Sequence, residues 1–257
     1  MATIRIIGPG RAGQSFAHAL ARVGHDVDGP LGRADDLADA AHGVDLLILA
    51  VPDDEIAGVA AKVRPDGRCV VAHLSGSLGC DVLVPHPRRA AIHPLIPMPT
   101  AEVGSARLLG GVTLAVAGDA LAAEVGRSLG ARLVVVADED RPKYHAAACV
   151  AANHVVALLG QVERIAREVG LDVEAFLGLT RAAVDDVEAL GPRAALTGPA
   201  ARGDWSTVAR HLDALAPSER AAYGAGVALA LELAGTGLQL PETLATAPKV
   251  PAVDPAG

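Results

Sequence analysis

The chain has 257 residues, 51% hydrophobic and 20% charged, which suits one large globular domain or two modest ones and excludes a disordered chain. Its formal net charge of −8, without any basic stripe, argues against a nucleic-acid partner. Aromatic residues make up 2%, so Ala, Val and Leu must build the core, and Cys69, Cys80 and Cys149 fit neither a disulfide framework nor a zinc pattern, which suggests a reducing compartment.

The first element is a short apolar strand, Thr3–Ile7, that runs into Gly8-Pro9-Gly10-Arg11-Ala12-Gly13 and then into a helical pattern over 11–24. A strand, a glycine loop and a helix in that order form the context in which GxGxxG holds a pyrophosphate. Gly8 permits the tight turn, Gly10 the close approach of backbone to phosphate, and Gly13 the close packing of helix on strand. The helix N-terminus then offers unpaired N–H groups and the positive end of its dipole. Twenty residues after Gly13 stands Arg33, where such domains often place an acid for the ribose hydroxyls. An arginine there offers a fork to a 2′-phosphate and favours NADP over NAD. Asp28 is the competing ribose acid if the second strand ends early, since Gly29-Pro30 interrupts the strand pattern.

Next comes a nearly continuous apolar run, Val44–Val51, closed by Pro52 and suited to a parallel strand buried on both faces. Val51-Pro52 lies at a strand end where a cofactor ribose would pass, and Asp53 or Asp54 stands near the start of a helix over 56–63. Further strands are expected at 69–74, 90–92, 112–116 and 133–136, so strands alternate with helices in a doubly wound α/β sheet over residues 1–138. Ser75 and Ser77, around Gly76, follow one strand, and His93 opens a stiff proline-rich loop after another. All three are candidates to touch substrate. His86 and His93 lack acidic or cysteine companions, so no metal site is read.

After Asp138 the pattern turns helical, with a long helix to Val169 and shorter ones at 173–190, 205–215 and 218–233. An all-α domain over 139–240 and a tail, 241–257, without fixed structure are expected. Ala146–Gly160 is weakly polar but short for a bilayer span, and no leader precedes the first strand, so a cytoplasmic protein without a membrane role is expected. Within the long helix, His145, Cys149 and Asn153 recur at i, i+4, i+8 along one side, with Lys143 and His154 on another. Polar groups in so alanine-rich a run are costly to bury without partners, which makes Lys143, His145 and Asn153 the catalytic candidates. In the loop 196–204, Thr197 and Arg202 offer a hydroxyl and a guanidinium to a substrate carboxylate, and Asp204 is expected to cap the next helix.

Gly8-Pro9-Gly10-Arg11-Ala12-Gly13, Ala50-Val51-Pro52-Asp53, His73-Leu74-Ser75-Gly76-Ser77, His93-Pro94-Leu95, Tyr144-His145-Ala146-Ala147 with Asn153, and Leu196-Thr197-Gly198-Pro199 with Arg202-Gly203-Asp204 together resemble a bacterial family. Its members pair a Rossmann-like domain with a C-terminal helical domain long labelled as of unknown function. That layout is similar to the 6-phosphogluconate dehydrogenase-like superfamily, which includes ketopantoate reductase, β-hydroxyacid dehydrogenases and pyrroline-carboxylate reductase. The resemblance implies hydride transfer between a nicotinamide and a small carbonyl or imine, with a 2-keto acid, ketopantoate, as leading substrate in pantothenate synthesis. It also implies a homodimer formed through the helical domain. Ketopantoate reductases carry a lysine one turn before the asparagine, where this chain has Cys149. Lys143 or His145 is then the proton donor, with Asn153 orienting the substrate oxygen and Arg202 its carboxylate. The alternatives are a dinucleotide-binding sensor or scaffold without turnover, and an enzyme acting on an imine or a prephenate-like acid.

Overall fold

The computed structural model describes residues 1–239 and 241, so the expected tail, except Pro241, lies outside the described residues. The chain divides into two compact units, the first ending at His154 and the second beginning at Val155.

The first unit is built on a seven-stranded sheet in the order β2-β1-β3-β4-β5-β6-β7. Its elements are β1 (Thr3–Ile7), α1 (Arg11–Arg22), β2 (Asp26–Leu31), β3 (Leu46–Leu49), α2 (Ile56–Lys62), β4 (Val70–His73), β5 (Arg89–Pro94), α3 (Ala101–Leu108), β6 (Thr113–Gly118), α4 (Ala120–Ser128), β7 (Arg132–Val135) and α5 (Arg141–Cys149). The first five strands in spatial order are parallel, and β6 turns antiparallel against β5, taking β7 with it. Helices cover both faces, as the doubly wound reading requires. Phe16 and Leu20 of α1, Leu108 of α3 and Val125 of α4 pack with Ile4, Ile6, Leu46 and Ile48 on one face. Ile56 and Val59 of α2 pack with Ile7, Leu47, Leu49 and Val71 on the other. Every side chain of β3 and β4 is buried, and all but His73 are apolar, as central parallel strands require.

Two boundaries differ from the sequence reading. The second strand does not end at Asp28: it runs through Gly29-Pro30 to Leu31, because a register shift lets Ile7 pair with Leu31. Gly29 adopts φ +98°, and a Cβ there would stand 2.7 Å from the Ile6 carbonyl oxygen, so only glycine passes this point. Secondly, the compact units divide after His154 rather than near 138, since α5 belongs with the sheet. A single π turn, Val150–His154, follows α5.

The second unit comprises α6 (Val155–Glu168), α7 (Glu174–Leu190), α8 (Pro192–Ala195), α9 (Pro199–Arg202), α10 (Trp205–Ala214) and α11 (Pro217–Ala234). Ala200, Val208, Leu212 and Val227 form its small core, with Trp205 and Tyr223 packed against them. Glu219 of α11 accepts two hydrogen bonds from Arg164 of α6, at 2.7 and 3.0 Å, and Gln161 donates to its backbone oxygen at 3.0 Å. None of the residues of α7 is buried. The helical stretch Asp138–Glu168, 31 residues, is by length and composition alone apolar enough to cross a membrane, longer than the segment read from the sequence. Its first turns carry Arg141 and Tyr144, which bond to the sheet unit.

Candidate active site

The glycine loop has the geometry its spacing predicts. Gly8 has φ +111°, and a Cβ on it would strike the Ala50 carbonyl oxygen. A Cβ on Gly13 would overlap the Gly8 carbonyl oxygen, so that glycine brings helix to strand. At Gly10 a Cβ would meet nothing within 4 Å: the space beside this backbone is open. Gly10 is the N-cap of α1, whose first turn holds no acidic residue, so its N–H groups and dipole are left for an anion. Pro9 and Arg11 are exposed at the mouth, and the Gln14 amide donates to the Pro9 oxygen at 2.7 Å to hold the loop. A cleft of about 320 Å³ is lined by Gly8, Pro9, Gly10, Leu31, Arg33, Val51, Pro52, Glu55 and Lys62. It sits between β1 and β3, where the strand order reverses, the usual place for a nucleotide in an open α/β sheet. These residues fit a dinucleotide.

Arg33 stands two residues beyond β2 and lines this cleft, with its Nη2 2.5 Å from Glu55 Oε1. Asp28 does not: its carboxylate accepts from Arg5 Nε at 2.7 Å. The arginine therefore occupies the position that the sequence reading left open between the two.

Beyond the neighbouring strand ends a second constellation forms. Asp53 Oδ2 accepts from Ser75 Oγ at 2.6 Å and from Ser77 Oγ at 2.8 Å, and Ser75 Oγ also accepts from the backbone of Ser77 and Leu78. Ser75 is buried and committed to shaping its loop; Ser77 is the more open of the two. Asp53 is therefore a loop staple rather than a helix cap. Gly76, between the serines, faces two imidazoles: a Cβ on it would stand 2.6 Å from His145 Cδ2 and 2.8 Å from His93 Nε2. His93 Nδ1 lies 2.7 Å from the Tyr144 hydroxyl, and the His93 and His145 rings meet edge to face at 5.7 Å. Cys149 Sγ lies 3.9 Å from His145 Nε2.

Arg141 underlies this cluster. Its side chain is fully buried, donates from Nη1 to the Ser75 carbonyl at 3.1 Å, and has Nε 3.6 Å from Asp138 Oδ1. Asp138 in turn accepts from the Cys80 backbone at 3.0 Å. Burial, then the neighbouring His145 and the Arg141 charge, push the His93 imidazole down to about 4, so it is neutral at physiological pH. Burial also lowers His73, whose Nε2 donates to the Gly79 carbonyl at 3.1 Å, and raises the Tyr144 phenol, which stays protonated.

Of the catalytic candidates, His145 joins this cluster. Lys143 is exposed and has no hydrogen bond among the described residues. Asn153 is exposed within the π turn, whose wider winding breaks the 3.6-residue spacing that placed it in line with His145 and Cys149. Thr197 and Arg202 lie exposed in the second unit, and Asp204 caps α10 by accepting from Thr207 N at 3.1 Å. Sequence reasoning gave no role to Arg141, Asp138 or Glu55, and quoted Tyr144 only as part of a motif. A buried arginine and a tyrosine–histidine pair 51 positions apart leave no periodic trace.

Comparison with known proteins agrees with this architecture. A Rossmann-like domain matches residues 30–99, and a domain of unknown function, DUF2520, matches residues 111–229. No curated protein matches the chain. Among solved structures, a Bacteroides fragilis protein whose name proposes an NADP oxidoreductase is 20% identical, with TM-score 0.75, covering 90% of this chain and 98% of that one. A Thermotoga maritima protein is 24% identical at TM-score 0.67, covering 91% and 98%. Plasmodium falciparum pyrroline carboxylate reductase, solved with NADP bound, is 14% identical at TM-score 0.59, covering 91% and 98%. The fold is thus shared with these structures, and the chain matches a Rossmann-like domain followed by DUF2520.

Proposed function

We propose that this protein is an NADP-dependent oxidoreductase that reduces a small 2-keto acid, with ketopantoate as leading substrate, in the cytoplasm and as a homodimer formed through its helical unit. One observation carries the choice of an enzyme over a sensor or scaffold. The unit that holds the nucleotide cleft also gathers His93, Tyr144 and His145 beyond adjacent strand ends, with a 2.7 Å bond between the first two. Such a group of titratable side chains beside a nucleotide cleft suits proton transfer better than binding alone. When bound, the cofactor would supply the hydride.

In this reading His145 is the general acid for the developing alkoxide, and its place beside His93, packed against Gly76, favours it over the solvent-facing Lys143. Tyr144, held protonated, is hydrogen-bonded to Nδ1 of the neutral His93 and fixes that ring beside His145. Asn153 is proposed to orient the substrate oxygen, and Thr197 and Arg202 of the helical unit have the chemistry to bind a carboxylate. An imine is the second reading. It is favoured by the neutral His93 and the lack of a lysine in the cluster, which suit an acceptor that arrives already protonated.

The test is consumption of NADPH with ketopantoate, then with a panel of keto acids and imines. Turnover is expected, with His145→Ala lowering kcat by about 100-fold or more and Lys143→Ala changing it little. Tight nucleotide binding without turnover on any member of the panel would sink the enzyme reading in favour of the sensor.

A further inference from the structure

The nucleotide cleft carries an acid opposite its arginine. Of its lining residues, Arg33 and Lys62 are cationic and Glu55 is the one carboxylate among the described residues. The nearby acids are engaged elsewhere: Asp35 accepts from the Gly32 backbone at 2.6 Å, Asp36 from Ala38 at 3.0 Å, and Asp28 from Arg5. Glu55 is instead held at the rim by its own backbone, which donates to the Pro52 carbonyl at 2.9 Å, and its side chain reaches Arg33 across the opening.

We propose that Glu55 sets the balance between NADP and NAD by competing with a 2′-phosphate for Arg33. The proposal rests on the dinucleotide reading of this cleft. The Arg33 guanidinium offers one planar fork, and a carboxylate already occupies part of it. A 2′-phosphate, with its larger charge, must displace or share that carboxylate and sits beside it. A ribose 2′-hydroxyl instead donates to a carboxylate and leaves the ion pair intact. Glu55 thus weakens NADP binding and supports NAD binding, moderating the preference that Arg33 alone would impose. Both partners are solvent-accessible, so the effect is modest and screened by salt.

The full-length protein and Glu55→Gln are titrated with NADPH and NADH, following nucleotide fluorescence and, separately, the shift in melting temperature. Neither readout depends on turnover. In Glu55→Gln the ratio of NADH to NADPH dissociation constants should rise by about three- to tenfold at low salt, the size expected when one carboxylate beside a phosphate is removed at a protein surface. That gain should shrink at high salt. An unchanged ratio, or one that moves toward NADH, would overturn the role of Glu55 while leaving the cleft a nucleotide site. If the wild-type protein binds neither nucleotide, the dinucleotide reading falls and this inference falls with it. Glu55→Asp, which keeps the charge but shortens its reach, should lie between wild type and Glu55→Gln.

Discussion

At the scale of single residues, the histidine cluster makes the protein's stability depend on pH. His93 is neutral in the fold down to about pH 4, whereas in the unfolded chain it takes a proton near 6.5. Below 6.5 the unfolded state therefore binds more protons than the folded state. The stability associated with His93 is fully present above 6.5 and falls as pH drops toward 4, by up to about 1.4 kcal/mol per pH unit for one histidine. His73, also lowered by burial, adds in the same direction. Melting temperatures across this window should decline, and His93→Asn should flatten the decline. An identical slope in wild type and variant would show that His93 titrates normally in the fold.

At the scale of elements, helix α4 depends on a single aspartate. Asp119 caps it by accepting from Leu121 N at 3.1 Å, and the same carboxylate takes a two-pronged bond from Arg88 at 2.9 and 3.0 Å. The Arg88 bond holds the Asp119 carboxyl below its ordinary range, so this contribution is present above about 3.8 and lost in stronger acid. Asp119→Ala should cost about 1–2 kcal/mol in urea unfolding at neutral pH, the range for a lost cap. The elements themselves were largely legible. The glycine loop, the buried runs at 46–49 and 70–73 and the helices after 141 all announce themselves by local pattern. What escaped is non-local. Strand β2 passes Gly29-Pro30 because β1 shifts register beside it, and β6 reverses direction without any change in its own composition. The site divided the same way. Gly8, Gly10, Gly13 and Arg33 follow from chain order, whereas the Asp53 staple, the Arg141 support and the Tyr144–His93 bond exist only once distant strand ends meet. The π turn then removed Asn153 from the line on which an ideal helix had placed it.

At the scale of the whole molecule, the helical unit is poor in core and rich in uncovered apolar surface. Leu179, Val187 and Leu190 fall on one side of α7 at helical spacing, and all three are exposed, as are Val156 and Leu158 of α6. A surface of this kind is the usual mark of an interface. Together with the resemblance, it supports the proposed homodimer. Light scattering coupled to size exclusion should give twice the chain mass, and Leu179→Lys combined with Leu190→Lys should shift it to the monomer. A wild-type protein that runs as a monomer at high concentration would refute the assembly.

The open space beside Gly10 separates two demands that the loop otherwise merges. Gly8 and Gly13 are required by the protein's own backbone, since any side chain there collides with a carbonyl of the same chain. Gly10 meets no such obstacle, so the folded chain has no stake in it and only a visiting phosphate does. Selection for stability alone would let a methyl group drift in at this position. The result would be a well-folded chain that no longer holds a nucleotide. A glycine kept at position 10 therefore records use of the cleft, while glycines at 8 and 13 record only that the chain still folds.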